Sequence, residues 1–314
     1  MDCLLCGAGR PEFLCKALLY PGAEREVHRC PSCGGAYYWP VPSLEEVARC
    51  YPHAYFRDFF KQYWKDLYKG RLLAEDLGAW RPEGTLLDVG CALGTFLAGV
   101  RDASKRRVLG LEYSPAAAKA GKALNGVDIA VGGLPSAPWA EGSVDLVNIN
   151  NVLEHERDPA AALSAAARLL SPGGRLRLCV PNGPVDLRAT LDLWRRLERP
   201  VVTRHGGHLF FMTRRSLETL FARAGLRLAS LRNFHFQLGA KARGLKPGAY
   251  RPFLRPPAPP PPDDSAGMPL DELRRLVPPQ PSWTAYKLKA RWRRLWRLPD
   301  SEFGYDFEAW AEKA

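Results

Sequence analysis

The chain has 314 residues, enough for one large domain with appendages or for two domains. Hydrophobic residues make up 46% of it, which supports a sizeable buried core and excludes a chain that is disordered throughout. Its formal net charge of +12 favours acidic partners such as nucleic acid, anionic lipid or a phosphorylated substrate, and a compositional bias towards arginine is the alternative explanation.

Targeting and membrane signals are not apparent in the pattern of the chain. Met1 is followed directly by Asp2 and Cys3, without the basic and apolar regions of a signal peptide. No apolar run approaches the ~18 residues that a membrane span needs. We therefore expect a cytoplasmic protein, whose eight cysteines are metal ligands or buried thiols rather than disulfides.

Two C-x-x-C pairs, "CLLCG" and "CPSCGG", lie close to the start of the chain. Each pair forms a tight turn that points two sulfurs at one position, and two pairs complete a tetrahedral thiolate site. We predict a zinc ribbon over residues 1–42 with a structural zinc ion bound by Cys3, Cys6, Cys30 and Cys33; a redox pair is the alternative. Because so short a segment has little core of its own, the metal would supply much of its folding free energy. The other cysteines are predicted to be spectators or small buried hydrophobic residues: Cys15, Cys50, Cys91 and Cys179.

Residues 43–82 are predicted to form a helical connector. Ser43 is followed by Glu46 three residues later, which is the pattern of a capping box at a helix start. The stretch "DFFKQYWKDLYKGRLLAEDLGAW" then carries apolar residues at the three- and four-residue spacing of an amphipathic helix. We expect that helix to pack on the domain that follows.

Strands alternate with helices over residues 83–240. The strand "TLLDVG" leads into a helix from Thr95, and the strand "VLGLEYS" leads into a helix with Pro115 at its first position. The strand in "VDLVNINNVLEH" precedes a helix that Asp158 is placed to cap. This alternation predicts a mostly parallel sheet covered by helices on both faces, with a ligand beyond the carboxyl ends of its strands.

The loop "DVGCALG" after the first of these strands fits neither common phosphate-binding pattern. A dinucleotide loop would need glycines where Ala92 and Thr95 stand, and a P-loop would need Gly-Lys-Ser/Thr. Asp88 before the loop would repel a pyrophosphate, whereas Glu112 at the end of the next strand can accept both hydroxyls of a ribose. Two acids beside one cleft suit a nucleoside that has a cationic centre and no phosphates. S-adenosylmethionine is such a molecule.

Five segments of this region resemble the motifs of class I S-adenosylmethionine-dependent methyltransferases, in the right order and spacing. They are "LLDVGCALGTFL", "LGLEYSP", "GGLPSAPWAEGSVDLVNINNVLEHERDP", "LSPGGRLRLCVPN" and "HGGHLFFMTRRSLETLFARAGL". The resemblance implies an α/β fold with a Rossmann-like, mostly parallel seven-stranded sheet and S-adenosyl-L-methionine as the cofactor. The front end, "CPSCGGAYYWPVP" and "CYPHAYF", resembles a subgroup with a zinc ribbon before this domain, which includes deoxysugar C-methyltransferases.

The resemblance also implies which residues bind the cofactor. They are Asp88, Gly90, Cys91, Ala92, Gly94, Glu112, Gly133, Leu134, Asn150 and Asn151. Asp88 and the loop residues after it would line the methionine and ribose, and Glu112 would bind the ribose hydroxyls. Gly133 and Leu134 would flank the adenine through backbone and side chain. The two asparagines would contact the methionine moiety or the acceptor.

Methyl transfer is a displacement at an activated sulfonium carbon, so the protein mainly aligns the nucleophile and excludes water. A hydroxyl or acidic C–H nucleophile also needs a base, and the candidates are His208 and His155, followed by His205. For each of them the alternative is a structural role, as a helix brace, a packed ring or a loop residue.

The leading functional hypothesis is methylation of a small-molecule or sugar acceptor, at oxygen or carbon. The alternative is an RNA methyltransferase, because some rRNA base methyltransferases join a zinc ribbon to this fold and the positive charge suits RNA. The Asn-Pro-Pro-Tyr turn used on base amines is absent from the end of the fourth strand, where "NINNVLEH" stands. A third hypothesis is a binding module that has lost catalysis.

Residues 241–314 are predicted to be a proline-rich linker followed by a basic helical extension. "RPFLRPPAPPPPDD" is typical of an extended spacer, and "SWTAYKLKARWRRLWRL" places arginine and tryptophan on one helix. That helix is compatible with docking on the preceding domain or a second subunit, or with peripheral contact with an anionic membrane. The oligomeric state stays open.

Overall fold

A computed structural model describes residues 2–19, 22–49, 57–203, 207–234, 268–294 and 304–313. The strands in these ranges are β1 (Glu12–Leu19), β2 (Ala23–Arg29), β3 (Ala36–Trp39), β4 (Thr85–Val89), β5 (Arg107–Glu112), β6 (Asp128–Val131), β7 (Val144–Asn150), β8 (Leu170–Pro181), β9 (Val201–Val202), β10 (Phe210–Phe211), β11 (Leu226–Phe234) and β12 (Asp306–Lys313).

The helices of the same ranges are α1 (Leu44–Arg49), α2 (Arg57–Phe60), α3 (Tyr63–Leu77), α4 (Thr95–Asp102), α5 (Pro115–Asn125), α6 (Pro159–Leu169), α7 (Gly183–Asp186), α8 (Arg188–Leu197), α9 (Arg214–Arg223), α10 (Leu270–Leu276) and α11 (Trp283–Arg294). Two single turns of 3-10 helix cover Leu134–Ser136 and Leu153–His155. None of the helices in the described part of the chain is both long and apolar enough to cross a membrane.

A seven-stranded sheet in the order β11-β12-β8-β7-β4-β5-β6 forms the centre of the molecule. Neighbouring strands from β8 to β6 are parallel, and β12 runs antiparallel to both β11 and β8. Successive side chains of a strand point to opposite faces, so Leu86 and Leu146 pack towards α3 and α4, whereas Leu87 and Val147 pack towards α6 and α9. The predicted α/β architecture with a mostly parallel seven-stranded sheet is confirmed.

Predicted capping residues begin two of the helices, and a predicted proline stands at the first position of a third. The Ser43 hydroxyl accepts the backbone N–H of Glu46, whose carboxylate in turn accepts the N–H of Ser43. Asp158 accepts the N–H of Ala161 at the start of α6, and Ser114 caps α5 just before Pro115. These local signals fix where the helices start, and thereby the loops that precede them at the sheet edge.

The segment predicted to be a zinc ribbon, residues 1–42, which we call the ribbon, contributes strands to a second, five-stranded sheet in the order β10-β3-β2-β1-β9. Its edge strands come from residues beyond 200, where Phe210 pairs with Tyr37 and Val201 pairs with Ala17. The expected unit at residues 1–42 therefore shares its sheet with the segment that follows β8. The ribbon is thus connected to the rest of the molecule by strand pairing with β9 and β10, in addition to side-chain packing.

The prediction for residues 241–314 was wrong at its C-terminal end. Asp306–Lys313 forms β12, which lies between β11 and β8 along their length. The domain expected at residues 83–240 is thus completed by a strand beyond that boundary. The alternation of Phe307, Ala309 and Ala311 towards the core is typical of a strand, and all three are buried. The predicted proline-rich stretch "RPFLRPPAPPPPDD" lies outside the described residues.

The basic helix α11 docks on α3 within the chain. Trp283 and Tyr286 contact the ring of Tyr68, with centroids 5.0 and 5.2 Å away. Lys287 forms an ion pair with Glu75 of α3 at 2.7 Å. Of the two predicted roles of this helix, the structure shows docking within the chain. Leu288 and Trp292 of the same helix are exposed.

Candidate functional site: the loops at the carboxyl edge of the sheet

The loop between β4 and α4 alternates in backbone handedness. Gly90, Ala92 and Gly94 have φ of 66°, 48° and 62°, and Gly94 is the left-handed N-cap of α4. A Cβ on Gly90 would stand 2.4 Å from Val152 Cγ2, and one on Gly94 would stand 2.3 Å from Val127 Cγ2. Both positions require glycine because a side chain has neither the space nor a relaxed conformation there.

Ala92 occupies a left-handed conformation that costs an L-residue about 1 kcal/mol. The strain is held in place by a hydrogen bond, because the Ala92 N–H donates to Glu112 Oε2 at 2.8 Å. Cys91 beside it is buried in the apolar cluster that includes Leu86 and Leu97, as expected for a small hydrophobic residue. The alanine therefore leaves the loop able to point a backbone amide at the acid of the next strand.

Glu112 ends β5 with its carboxylate held at both oxygens. Oε1 accepts the Ser114 N–H at 2.9 Å, while Oε2 accepts the Ala92 N–H. Burial raises the pKa of Glu112, and the two backbone donors act in the opposite direction. A carboxylate has about four lone-pair positions, so it retains capacity for two further donors such as vicinal hydroxyls.

Asp88 is part of a buried polar chain, by which we mean Asp88, Asn148, Arg177 and Glu308. Asn148 donates to Asp88 Oδ1 at 2.6 Å, and Arg177 donates to Asn148 Oδ1 at 2.9 Å and to Glu308 Oε2 at 2.7 Å. These residues come from β4, β7, β8 and β12, four neighbouring strands. Burial raises the pKa of Asp88 to about 7, and the hydrogen bond from Asn148 limits the rise.

Because of the polar chain, Asp88 does not lie where we expected it. The residue is only 5% exposed and lies in the sheet below the loop, rather than open to the cleft. Sequence reasoning missed its three partners. The signal for one of them was visible, because Arg177 stands among alternating leucines in "RLRLCV" where a strand is buried on both faces.

The expected adenine and methionine contacts lie at the same carboxyl edge. Gly133 follows β6, and Leu134 beside it is 2% exposed with its side chain packed in the main core. Asn150 ends β7 and is half-buried. Asn151 is exposed with φ of 54°, and its N–H donates to the Cys179 carbonyl at 2.8 Å.

The two preferred histidines meet at this edge. The rings of His155 and His208 lie 4.9 Å apart at 64°. His155 Nδ1 bonds the Gly207 carbonyl at 2.8 Å, and His208 Nδ1 bonds Asp186 Oδ2 at 2.6 Å. Burial opposes the charged form of His208, but Asp186 outweighs that effect and the pKa of His208 is raised. His205 lies outside the described residues.

Glu154 is a functional candidate that sequence reasoning did not identify. Its side chain is 1% exposed, and neither carboxylate oxygen has a hydrogen-bond partner among the described residues. Burial raises the pKa of Glu154 to about 7. Its Oε1 lies 3.8 Å from Nε2 of His155 and 3.8 Å from Nε2 of His208.

The four predicted cysteine ligands converge at one end of the ribbon. The Sγ atoms of Cys3, Cys6, Cys30 and Cys33 lie within 4.8 Å of one another, with Cys3 and Cys33 at 3.8 Å and Cys6 and Cys30 at 3.7 Å. Four sulfurs bound to one Zn²⁺ at about 2.3 Å would stand about 3.8 Å apart, so the donor set fits a tetrahedral site. The Thr213 hydroxyl donates to the Cys33 carbonyl and ties this end to α9.

Comparison with known proteins identifies the family. A family model described as a methyltransferase domain matches residues 56–231, more than half of the chain. An uncharacterized 37.1 kDa protein from a Streptomyces fradiae transposon is 36% identical over 108 residues, which cover 32% of this chain and 31% of that protein. A probable S-adenosylmethionine-dependent methyltransferase of Mycolicibacterium smegmatis is 37% identical over 98 residues, 31% of this chain and 38% of that one. The chain thus spans about a third of the length of these curated relatives.

A solved structure shares the fold. The complex between the Haloferax volcanii Trm112 methyltransferase activator and a protein provisionally named a methyltransferase contains a chain that aligns with a TM-score of 0.50 and 17% identity. The alignment covers 83% of this chain and 96% of that chain. At this identity the likeness concerns the fold alone. The match of the family model over more than half of the sequence, on the sheet described above, shows that the chain belongs to the methyltransferase-domain family.

Proposed function

We propose that the protein is an S-adenosylmethionine-dependent methyltransferase that acts on a small-molecule or sugar acceptor, at oxygen or carbon. The observation that carries the proposal is the Glu112 carboxylate, fixed by the Ala92 amide at the mouth of a loop without a phosphate cradle. The family match and the similarity to the probable S-adenosylmethionine-dependent methyltransferase of Mycolicibacterium smegmatis support the same cofactor.

The residues of this edge fit such a cofactor. Glu112 would accept the ribose hydroxyls with the lone pairs that its backbone donors leave, and Gly90 lets the loop pass against Val152 without a side chain. Asn150 and Asn151, at and just after the end of β7, would contact the methionine end. When bound, the cofactor supplies a methyl group on a cationic sulfur that needs no further activation. The chain's own task is to orient the acceptor and to keep water out.

General-base roles for His155 and His208 remain predictions. Because the Nδ1 partners are a carbonyl and a carboxylate, both rings hold a proton on Nδ1. In the neutral rings Nε2 therefore carries the lone pair, and on both residues it faces Glu154. Either ring could hold a proton taken from an acceptor, with Asp186 stabilising the charged form of His208.

We also propose that the cysteine site binds a structural zinc ion. Four thiolates leave no open position, which is the arrangement of closed structural sites. The bond from Thr213 to Cys33 and the bond from Arg223 to the Leu5 carbonyl connect this site to α9. Zinc would thus fix the ribbon against α9.

The acceptor class is tested by competition between two substrate pools. Methyl-labelled S-adenosylmethionine is incubated with the protein and either hydroxylated small molecules and sugar nucleotides or total RNA, at low and high salt. We expect label in the small-molecule pool with little salt dependence. The net charge of +12 favours RNA as the second candidate, and label in RNA that falls steeply with salt would replace the small-molecule acceptor by RNA.

A further inference from the structure

Glu154, His155 and His208 form a compact cluster beside the β4–α4 loop. One ligand atom from each residue lies within 4.8 Å of those of the other two. Val152, two residues before Glu154, is the side chain that a Cβ on Gly90 would strike. The cluster therefore stands within one turn of chain from the loop proposed to hold the methyl donor.

Three atoms that can bind a metal ion converge in this cluster. The Nδ1 protons are engaged by Gly207 and Asp186, and Nε2 of both rings faces Glu154. At 3.8 Å, each Nε2 is too far from Glu154 Oε1 for a hydrogen bond. When both rings are neutral, two lone pairs and a carboxylate face one another and would attract a cation between them. Neither oxygen of this buried carboxylate accepts a hydrogen bond from the described residues, and a buried charge that is incompletely compensated costs several kcal/mol.

The spacing fits a metal ion. Nitrogen and oxygen ligands bind first-row transition metals at about 2.1 Å, which places neighbouring ligand atoms about 3.0–3.4 Å apart. The observed 3.8 Å separations need a movement of only about 0.5 Å to reach that range. The outer partners are those of a metal site as well, because each ring donates its other N–H to an oxygen. Tyr305 in turn donates to Asp186 at 2.6 Å and fixes it.

We propose that Glu154, His155 and His208 bind a divalent transition-metal ion, in a site separate from the four cysteines. Two imidazoles and one carboxylate on one side of the ion leave positions open opposite them, as in facial triads. The open positions would take an oxygen ligand, which makes this a catalytic type of site. The closed cysteine set is of the structural type.

The role of the ion rests on the proposed function, whereas its binding does not. An acceptor hydroxyl bound at an open position would have a lowered pKa and lose its proton to solvent. The oxygen then forms a bond to the methyl carbon while the carbon–sulfur bond breaks. The bonding pair stays on sulfur, so an alkoxide and a sulfonium give a neutral ether and a neutral thioether. The site thus favours methylation at oxygen over carbon.

Binding is tested with Mn²⁺ on the full chain after its cysteine site has been filled with zinc, because manganese prefers oxygen and nitrogen ligands to thiolates. Electron paramagnetic resonance of free Mn²⁺ gives the stoichiometry and affinity. We expect one saturable Mn²⁺ per chain. Glu154→Gln and His155→Gln should each weaken it by about tenfold or more, while the matched controls Glu156→Gln and His28→Gln should leave it unchanged.

His155 is half-buried, so its variant decides the result if Glu154→Gln does not fold. Wild-type protein that binds S-adenosylhomocysteine but no Mn²⁺ up to about 1 mM would overturn the inference and leave the proposed function standing. Undiminished Mn²⁺ binding in a folded His155→Gln would also overturn it. Mn²⁺ binding that depends on these residues, without any binding of S-adenosylhomocysteine, would keep the metal site and remove the proposed function.

Discussion

Glu112→Gln should weaken binding of S-adenosylhomocysteine far more than the loss of one charge at a surface would. In the wild type, Glu112 accepts a backbone N–H at each oxygen, from Ala92 and from Ser114. Glutamine has a single acceptor oxygen, and its NH₂ group would face one of the two N–H donors. The variant must therefore give up at least one backbone bond in addition to its bonds to the ribose.

The magnitude follows from the bonds that are lost. Two hydrogen bonds from ribose hydroxyls to a carboxylate contribute about 1.5–3 kcal/mol each, so the lower bound of about 3 kcal/mol is roughly a 150-fold rise in Kd. Isothermal titration calorimetry measures it, with the exposed acid of β6 neutralised in Asp128→Asn as the matched control. A rise below about threefold in a folded Glu112→Gln, or an equal loss in the control, would refute the assignment of the ribose to Glu112.

Three further outcomes are expected. Ala92→Gly should relieve the left-handed backbone and thereby raise the unfolding free energy by about 0.5–1 kcal/mol. The greater conformational entropy of glycine in the unfolded chain offsets this gain, so thermal melting should show no loss of stability. A drop in the unfolding free energy above about 1 kcal/mol would contradict the strain at Ala92. Removing zinc by chelation, or Cys30→Ser, should lower the melting temperature and the metal content together, and a chain that melts unchanged without metal would contradict a structural site. Asp88→Asn keeps an acceptor for Asn148 and removes a carboxyl whose folded pKa of about 7 exceeds its ordinary 3.8. In the cofactor-free wild type the protonated Asp88 carboxyl stabilises the fold fully at low pH, and this stabilisation is lost as the pH rises from about 4 through 7. The unfolding free energy of the variant, measured with denaturant, should therefore rise relative to that of the wild type by up to about 4 kcal/mol over that window. A difference in unfolding free energy that does not change with pH would be inconsistent with the raised pKa.

Features that depend on local chemistry were predictable from the sequence. Two C-x-x-C pairs bring four sulfurs together wherever the intervening hairpin closes. Ser43 and Asp158 cap their helices because a side-chain oxygen reaches an N–H three residues away. The loop from Gly90 to Gly94 was identifiable since its residues determine the backbone directly.

Features that depend on distant neighbours were not predictable in the same way. Nothing local in Asp306–Lys313 indicates insertion between β11 and β8, where its buried Glu308 forms an ion pair with Arg177 of β8. The closure of the ribbon sheet by β9 and β10 has the same origin. Glu154 was missed because an acid next to a helix normally faces solvent, whereas here the Leu209 N–H donates to its carbonyl and its side chain is only 1% exposed.

The central claim is that the edge formed by Glu112 and the β4–α4 loop holds S-adenosylmethionine. Calorimetric titration of the wild-type chain with S-adenosylmethionine and, separately, with NAD tests it most directly. We expect saturable binding of one S-adenosylmethionine per chain and none of NAD, whose pyrophosphate this loop does not cradle. A folded protein that gives no heat with S-adenosylmethionine, or that binds NAD instead, would contradict it.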